Sequence, residues 1–211
     1  MEKEIKNQVA NTEPSEVTEL ILDKWKGSSI SEGDKSLLET YENTEFLSLT
    51  GCGLQSLENF PNLPNLIKLE LSDNKVKKDL ENLIHLKELL ELSLAGNQIT
   101  TLDDLKKLVP LESLISLDLF GNPVTETEGY RDWVFESFPN MQILDGLDRN
   151  GEEASLSDSE EEEDDEEENF EDFIENDSEG EEVSEDEPEG FPLKRTREDE
   201  EEPQSSKKEK L

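Results

Sequence analysis

One spacing of apolar residues recurs along the middle of the chain and constrains its fold more than any other feature. Between Leu66 and Val76 the apolar residues stand at relative positions 1, 4, 6 and 11, and Asn74 stands at position 9. The same spacing returns around Asn97 and Asn122, so the asparagines follow one another after 23 and 25 residues. Tandem copies of one pattern indicate a repeat architecture, in which each unit buries its apolar face only by stacking on its neighbours.

This spacing is the signature of the leucine-rich repeat, which has one short strand and one turn per unit. Side chains two residues apart lie on the same face of a strand, so Leu69 and Leu71 both point into the stack. The asparagine follows the strand, where its amide can bond backbone groups of the turn and of the next coil that would otherwise be buried without partners. The pattern predicts an α/β solenoid with a parallel sheet on its concave face.

Two weaker copies precede the clear ones and raise the predicted number of repeats to about five. The degenerate first unit has apolar residues at positions 1, 4 and 6, which are Val17, Leu20 and Leu22. A short polar helix is predicted over residues 3–11, as part of an N-terminal cap, and residues 27–34 are loop-like. In the second unit Cys52 stands at the asparagine position.

Apolar residues three apart follow each strand on the convex side and predict 3₁₀ turns or short helices. They are Leu57, Phe60, Leu63, Leu80, Leu83, Leu86, Leu102, Leu105 and Leu108, and the segment around Leu105 is the best candidate for a helix. After the last repeat, Tyr130, Val134 and Phe138 lie four apart, which predicts a helix. A final strand fragment with Met141 and Leu144 then completes a C-terminal cap that covers the open sheet edge.

Charge divides the chain into two parts. Residues 1–150 contain 28 Asp+Glu and 14 Lys+Arg, and residues 151–211 contain 29 and 6, which together make the 57 acids and 20 bases of the chain. The second part includes nine consecutive acidic residues, which cannot bury enough apolar surface to offset the entropy of ordering. We therefore predict a repeat domain over residues 1–150 and a disordered acidic tail over residues 151–211, with a basic island near residues 194–197.

Composition also excludes several classes of function. A net charge of −37 disfavours nucleic acid and anionic membranes as direct partners and favours basic proteins. No apolar run approaches the roughly 18 residues of a membrane span. One cysteine, Cys52, and one histidine, His85, cannot form a usual zinc site. No catalytic, cofactor-binding or metal-ligating set is found, so we expect a protein that is not an enzyme and needs no cofactor.

Residues between the buried leucines point outward on the concave face, which curved solenoids use to bind proteins. The set is mildly acidic and has apolar spots, and the alternative is an ordinary solvated sheet face. Ser48 and Ser93 belong to the same outward positions. The candidate binding residues are Glu19, Ile21, Asp23, Phe46, Lys68, Glu70, Glu91, Asp118 and Phe120.

The acidic tail is a candidate histone-binding segment. A polyanion of this kind can approach the charge density of DNA, about one charge per 1.7 Å of duplex axis, and can shield basic histone surface. Three apolar residues interrupt the acids and are candidate anchors on apolar patches of a histone. The candidates are Glu160, Glu161, Glu162, Glu163, Asp164, Asp165, Glu166, Glu167, Glu168, Phe170, Phe173 and Ile174. The alternatives are a tail that only confers solubility and apolar residues without a role.

Two modification or targeting signals lie in the same tail. An acidic residue follows three positions after each of five serines, as an acidophilic kinase of the casein kinase 2 type requires. These serines are Ser155, Ser157, Ser159, Ser178 and Ser184. Lys194, Arg195 and Arg197 form a weak nuclear-import signal for an import receptor. The alternative is a charge-balancing island that folds back on the acids.

Four stretches resemble the acidic leucine-rich nuclear phosphoprotein 32 family. They are residues 14–20, 69–74, 117–120 and 130–149, followed by an acidic run that a Lys-Arg-x-Arg-Glu island closes. The resemblance implies a five-stranded leucine-rich-repeat solenoid and a nuclear protein with some cytoplasmic presence. It also implies histone binding, inhibition of a protein phosphatase and inhibition of histone acetylation.

Our principal hypothesis is a non-enzymatic nuclear histone chaperone whose tail shields basic histone surface and limits histone acetylation. A first alternative is an inhibitor of a Ser/Thr protein phosphatase of the 2A type, acting through the concave face. A second alternative is a nucleocytoplasmic RNA-export adaptor.

Overall fold

The computed structural model describes residues 1–154, which contain a six-stranded parallel sheet with its strands in chain order. The strands are β1 (Glu19–Ile21), β2 (Phe46–Ser48), β3 (Lys68–Glu70), β4 (Glu91–Ser93), β5 (Ser116–Asp118) and β6 (Ile143–Leu144). Each repeat therefore adds one strand to the edge of the preceding one, and β6 belongs to the C-terminal cap. This confirms the predicted solenoid of about five repeats.

On the other side of the coils, helices precede β1 and connect every pair of successive strands except β2 and β3, so the helical turn predicted around Leu57, Phe60 and Leu63 is absent. The α-helices are α1 (Glu2–Gln8), α2 (Glu32–Leu38), α3 (Leu102–Leu105) and α4 (Tyr130–Ser137), and 3₁₀ turns span Pro14–Glu16, Leu80–Leu83, Lys106–Leu108 and Pro123–Glu126. Helices α3 and α4 lie where the apolar patterns predict them, whereas α1 ends three residues earlier than predicted. Within residues 1–154, no helix combines the length and the apolar character that crossing a bilayer requires.

The prediction of a loop over residues 27–34 is wrong at its C-terminal end, because helix α2 begins at Glu32. The Ser31 hydroxyl accepts a hydrogen bond from the Asp34 N–H at 3.1 Å and donates one to the Asp34 carboxylate at 2.7 Å. A serine in this position is a preferred N-terminal helix cap. The cap and the burial of Leu38 outweigh the low helix propensity of Gly33 in the first turn.

Two rows of leucines run across the sheet and form the centre of the core. The strand pairing places one leucine of each strand directly opposite the next, and these residues are Leu20, Leu47, Leu69, Leu92, Leu117 and Leu144. A second buried row follows two residues later and consists of Leu22, Leu49, Leu71, Leu94 and Leu119. Because every coil contributes to both rows, the core is continuous from one cap to the other.

Buried asparagines connect successive coils after β3, β4 and β5. The Asn97 side chain donates hydrogen bonds to the carbonyls of Leu71 and Leu94, each at 2.9 Å, and accepts one from the Val76 N–H at 2.9 Å. Asn74 and Asn122 make equivalent contacts. The asparagine therefore has its predicted role in the turn, but the neighbour that it bonds is the preceding coil and not the next one.

Cys52 replaces the asparagine in the second coil and preserves only part of this connection. Its thiol lies 3.4 Å from the carbonyl oxygen of Leu22 in the preceding coil, to which it can donate. The Gly27 N–H bonds the Cys52 backbone carbonyl at 3.2 Å, because a thiol offers no amide oxygen as acceptor.

A second set of asparagines, which the sequence analysis did not predict, lies before three of the strands. The Asn43 amide donates to the Ser15 carbonyl at 2.7 Å, the Asn65 amide to the Glu42 carbonyl at 3.0 Å, and the Asn140 amide to the Glu112 carbonyl at 2.8 Å. Each bond again connects one coil to the coil before it.

The first edge of the sheet is covered by a side chain of the N-terminal helix. The Gln8 amide accepts a hydrogen bond from the Ile21 N–H at 3.0 Å and donates one to the Glu19 carbonyl at 3.3 Å. These contacts imitate a neighbouring strand, so the backbone of β1 does not present an unpaired edge.

The last edge is covered by the chain that follows β6. The Leu144 N–H bonds the Leu147 carbonyl at 2.9 Å, and the Ala154 N–H bonds the Gly146 carbonyl at 3.1 Å. Arg131 of helix α4 donates to the Leu144 carbonyl at 3.2 Å and holds this segment against the helix. The boundary at residue 150 stays a prediction, but a truncated variant needs to retain Ala154 to keep these contacts.

A tyrosine and a carboxyl group join helix α4 to the end of β6. The Tyr130 hydroxyl donates to Asp145 Oδ2 at 3.1 Å, and Asp145 Oδ1 accepts from the Leu119 N–H at 2.7 Å. Burial raises the pKa of Asp145, and the two hydrogen bonds to its carboxylate offset only part of that increase.

We expect replacement of a connecting asparagine to destabilise the domain strongly. Asn97→Ala leaves the Val76 N–H and the carbonyls of Leu71 and Leu94 without their side-chain partner, which costs about 3 kcal/mol of unfolding free energy. Gln98→Ala is the matched control, because Gln98 is exposed and adjacent. Urea unfolding measures both variants, and equal transition midpoints would contradict the assigned role.

The raised pKa of Asp145 predicts a pH-dependent difference between the wild type and Asp145→Asn. A carboxyl group whose pKa is raised by folding binds its proton more tightly in the folded state, so its stabilising contribution is lost as pH rises. The Asn variant keeps the acceptor for Leu119 but does not ionise. Between pH of about 4 and about 7, we expect the difference in unfolding free energy to move in favour of the variant. A constant difference in urea unfolding, or one that moves the other way, would refute this expectation.

Candidate protein-binding face

The short strands arrange the outward residues of the concave face in rows. Strand pairing aligns Glu19, Phe46, Lys68 and Glu91 in one row, and the next row contains Ile21, Ser48, Glu70, Ser93 and Asp118. Most of these side chains are exposed or half-buried, as predicted. Ser48 is the exception, with 2 % exposure, because its hydroxyl donates to Asp23 Oδ1 at 2.7 Å.

Lys68 is the centre of a charged network that spans three strands. Its ammonium group lies 3.3 Å from a carboxylate oxygen of Glu91 and 3.5 Å from one of Glu70. It also lies 5.7 Å from the centre of the Phe46 ring, within the range of a cation–π contact. Partial burial lowers the pKa of Lys68, but Glu91 and Glu70 more than offset this effect, so its pKa is raised. One cation is therefore shared between two carboxylates.

Asp118 ends strand β5, and Phe120 follows it two residues later. Asp118 Oδ1 accepts a hydrogen bond from the Phe120 N–H at 2.9 Å, and Asp118 Oδ2 accepts one from the Ser93 hydroxyl at 3.3 Å. The carboxylate therefore fixes the backbone from which the Phe120 side chain projects. Phe120 is 75 % exposed, so an aromatic surface stands in solvent beside a carboxylate.

Residues of strands β3, β4 and β5 line a groove of about 290 Å³ on the concave face. The charged residues of its lining are Lys68, Glu70, Glu91 and Asp118, which carry a formal charge of −2. Ile143, Gly146 and Ala154 of the C-terminal cap close one side. The groove brings four of the predicted binding residues together, whereas Glu19, Ile21 and Asp23 lie at the β1 end and do not contribute to its lining.

The described residues offer little for catalysis. His85 lies on the convex side, where its Nε2 is 2.9 Å from the Pro61 carbonyl. Burial raises the pKa of the Cys52 thiol to about 11, which keeps the sulfur protonated and unreactive at neutral pH. Within residues 1–154, no group of three His, Cys, Asp or Glu side chains is placed to hold a metal ion. The chemistry that this face can perform is recognition of a cationic surface with apolar parts.

A basic cluster on the flank of the solenoid was missed by the sequence analysis. Lys75, Lys77 and Lys78 border a shallow groove of about 300 Å³ together with Gln55 and Gln98. Among the carboxylates of residues 1–154, none lies within 4.0 Å of the three ammonium groups. The Lys-x-Lys-Lys sequence was the available signal, but the acidic average of the chain obscured it.

All predicted sites of the tail lie outside the described residues. These are the histone-binding residues 160–168 with Phe170, Phe173 and Ile174, the five candidate serines from Ser155 to Ser184, and the import residues Lys194, Arg195 and Arg197.

Comparisons with known proteins identify the repeat domain. A family model described as "Leucine-rich repeat" matches residues 5–155. Acidic leucine-rich nuclear phosphoprotein 32 family member A of Drosophila melanogaster is 35 % identical over 153 residues, which cover 72 % of this chain and 57 % of that protein. The protein of the same name from Drosophila pseudoobscura pseudoobscura is 39 % identical over 154 residues, with shares of 73 % and 57 %. The chain thus spans somewhat more than half the length of these relatives.

A solved structure has the same fold. One chain of the Drosophila melanogaster SNF/U2A' complex matches with 27 % sequence identity and a TM-score of 0.51, over 67 % of this chain and 76 % of that one. The likeness agrees with the leucine-rich-repeat architecture.

We expect Lys68 to contribute little to stability, although it lies at the centre of the network. Its ion pairs are partly exposed, and such pairs contribute at most about 1 kcal/mol, which salt screens further. Lys68→Gln should therefore lower the unfolding free energy by less than about 1 kcal/mol, and by less at high salt than at low salt. Lys3→Gln on helix α1 is the control for the loss of an exposed cation. A loss for Lys68→Gln that salt does not reduce would contradict this assignment.

Proposed function

Because the chain belongs to the leucine-rich repeat family and is related through this domain to the acidic leucine-rich nuclear phosphoprotein 32 family, we propose that it is a non-enzymatic nuclear histone-binding protein. In this proposal the acidic tail shields basic histone surface, and the concave face contacts a folded partner. Covering histone lysines in this way also limits their acetylation.

The observation that carries the proposal is the presence of two anionic surfaces in one chain. The concave groove has a formal charge of −2, and its lining residue Asp118 bonds the backbone N–H of the exposed Phe120. The nine acids of residues 160–168 add a dense polyanion in the tail. Basic proteins are the partners that such a charge distribution attracts, because opposite charge raises both the encounter rate and the local concentration.

The proposed nuclear location has two supports. The relatives are named as nuclear phosphoproteins, and Lys194, Arg195 and Arg197 provide a basic signal for an import receptor. Some of the protein is expected in the cytoplasm.

Phosphorylation would strengthen the tail as a polyanion. Each phosphate adds about −1.5 to −2 charge at neutral pH. The proposed substrates of an acidophilic kinase are Ser155, Ser157, Ser159, Ser178 and Ser184.

A second candidate function is inhibition of a Ser/Thr protein phosphatase of the 2A type through the concave face. The groove bordered by Glu70, Glu91 and Asp118 is the observation that favours it, since a concave acidic face can cover a partner surface without the tail. The structural relative belongs to the SNF/U2A' complex, which supports protein binding as a use of this fold. Nothing in residues 1–154 favours the RNA-export adaptor over these two functions.

The test compares the full chain with a variant that ends at Ala154, using each purified core-histone pair. We expect truncation to weaken histone binding at least about tenfold, because the polyanion is removed while the capped domain is kept. Binding by the full chain should also fall at least about tenfold between about 50 and about 200 mM salt. Isothermal titration calorimetry gives both quantities.

Two controls make the outcome decisive. A polyglutamate peptide of nine residues shows what charge alone contributes, and a full chain that binds no better than this peptide would refute the histone proposal. Phe120→Ser tests the concave face, because this exposed side chain can be removed without opening the core. Phosphatase inhibition that persists after truncation and is lost in Phe120→Ser would support the second function.

A further inference from the structure

Three partly exposed apolar side chains form a row along the rim of the concave face. Ile67, Leu90 and Ile115 stand immediately before strands β3, β4 and β5, respectively. The Leu90 N–H bonds the Ile67 carbonyl at 2.8 Å, and the Ile115 N–H bonds the Leu90 carbonyl at 2.9 Å. These bonds place the three residues side by side in successive coils, and we call them the rim row.

The fold does not depend on apolar residues at these positions. Ile67 is 38 % exposed, and Leu90 and Ile115 are half-buried. None of the three belongs to the continuous core or to the half-buried apolar residues that pack against it. Glu45 and Gln142 occupy the same position in the flanking coils and make the same backbone bonds between coils. The rim row is therefore an apolar centre with polar ends, as binding surfaces have.

Carboxylates border the rim row. A groove of about 270 Å³ is lined by Glu45, Asn65, Ile67, Glu88 and Leu90. Among the cationic groups of residues 1–154, none lies within 4.0 Å of the carboxylate of Glu45 or Glu88. Lys87 is adjacent to Glu88 in sequence, but its ammonium group donates to the Pro110 carbonyl at 3.4 Å. The groove therefore attracts a ligand that carries cations beside apolar groups.

The spacing of the rim row matches an α-helix better than an extended strand. Coils joined by parallel strand pairing lie about 4.8 Å apart, so the row extends over about 10 Å. Residues i and i+7 of a helix lie about 10.5 Å apart on one face, with i+3 or i+4 between them. Three alternate residues of a strand extend over about 13 Å. The backbone N–H groups of the row already bond the preceding coils, so they offer no donor to an added strand.

We propose that the rim row binds an amphipathic basic helix of a partner protein. In this arrangement, successive turns of the helix place one apolar residue against each residue of the row. Lys or Arg side chains on the flank of the helix lie against Glu45 and Glu88. Binding of a helix in a groove through anchors at this spacing is an established mode of recognition. The inference goes beyond the proposed histone binding, which rests on the acidic tail and the concave groove.

A second copy of this chain is a poorer occupant of the rim row. Contact between two rim rows brings Glu45 and Glu88 of both copies together, and like charges across an interface oppose association. Three partly exposed side chains also offer much less surface than the roughly 800 Å² that each partner contributes to a standard stable interface. A short helix is the occupant whose size fits.

Two synthetic peptides test the proposal on the full chain. The first has about 14 residues, with leucines at i, i+4, i+7 and i+11 among lysines and alanines, which gives a basic helix with one apolar face. The second has the same composition in an order that distributes its leucines around the helix. Because both peptides carry the same charge, they share the general attraction to an acidic chain. We expect isothermal titration calorimetry to show at least about tenfold tighter binding of the first peptide.

Two variants locate the binding site. Ile67→Ser/Leu90→Ser/Ile115→Ser should weaken binding of the first peptide at least about tenfold and leave that of the second unchanged. Ile21→Ser/Phe120→Ser is the matched control, because it removes exposed apolar side chains from the concave face, and it should preserve binding. Equal binding of the two peptides by the wild type, or equal losses in the two variants, would overturn the proposal.

Methyl NMR of the wild type locates the peptide without any substitution. The first peptide should shift the methyl signals of Ile67 and Ile115 and leave that of Ile21 in place, and the reverse pattern would overturn the proposal. Glu45→Gln/Glu88→Gln should weaken binding of this peptide at least about threefold at low salt. An unchanged affinity would contradict the proposed basic occupant.

Two further measurements separate the alternatives. A concentration-dependent dimer of the wild type that is lost in the triple serine variant would assign the rim row to a second copy and overturn the proposal. Sedimentation velocity measures this. Histone titration of the same variants reports separately on the proposed function, which does not require the rim row.

Discussion

The structure depends on the hydrogen bonds that buried asparagine side chains make between successive coils. A chain that turns away from a strand after three residues leaves backbone N–H and C=O groups inside the stack. Asn74, Asn97 and Asn122 satisfy these groups in their own coil and in the preceding one. The leucine rows supply the apolar burial, but the amides fix how one coil sits on the next.

The properties of the concave face follow from this stacking. Because the coils are in register, residues that are 22 to 25 positions apart in sequence become direct neighbours on the sheet. Lys68 then meets Glu91 from the following repeat and Phe46 from the preceding one. The face is acidic because more carboxylates than ammonium groups occupy these aligned positions, and the only buried polar residue among the predicted outward positions is Ser48.

The two caps cover the open edges of the sheet. Gln8 covers the first strand, and the segment from Asp145 to Ala154 covers the last. In covering that edge, the chain arrives at the groove that Glu70 and Asp118 border. Ala154, the last of the described residues, therefore lies beside the groove.

The sequence by itself determined the repeat number, the leucine rows, the place of the asparagines in the turns and the helix from Tyr130 onward. Each of these features is local, because burial and turn formation within a single coil determine which residues stand at each of its positions. Helix α2 was obscured by Gly33, and the second set of asparagines was overlooked. The ion pairs of Lys68, the burial of Ser48 against Asp23 and the position of Ala154 beside the groove were decided only by the tertiary structure. They join residues from different coils, and such contacts depend on the register and curvature of the stack, which no single coil encodes.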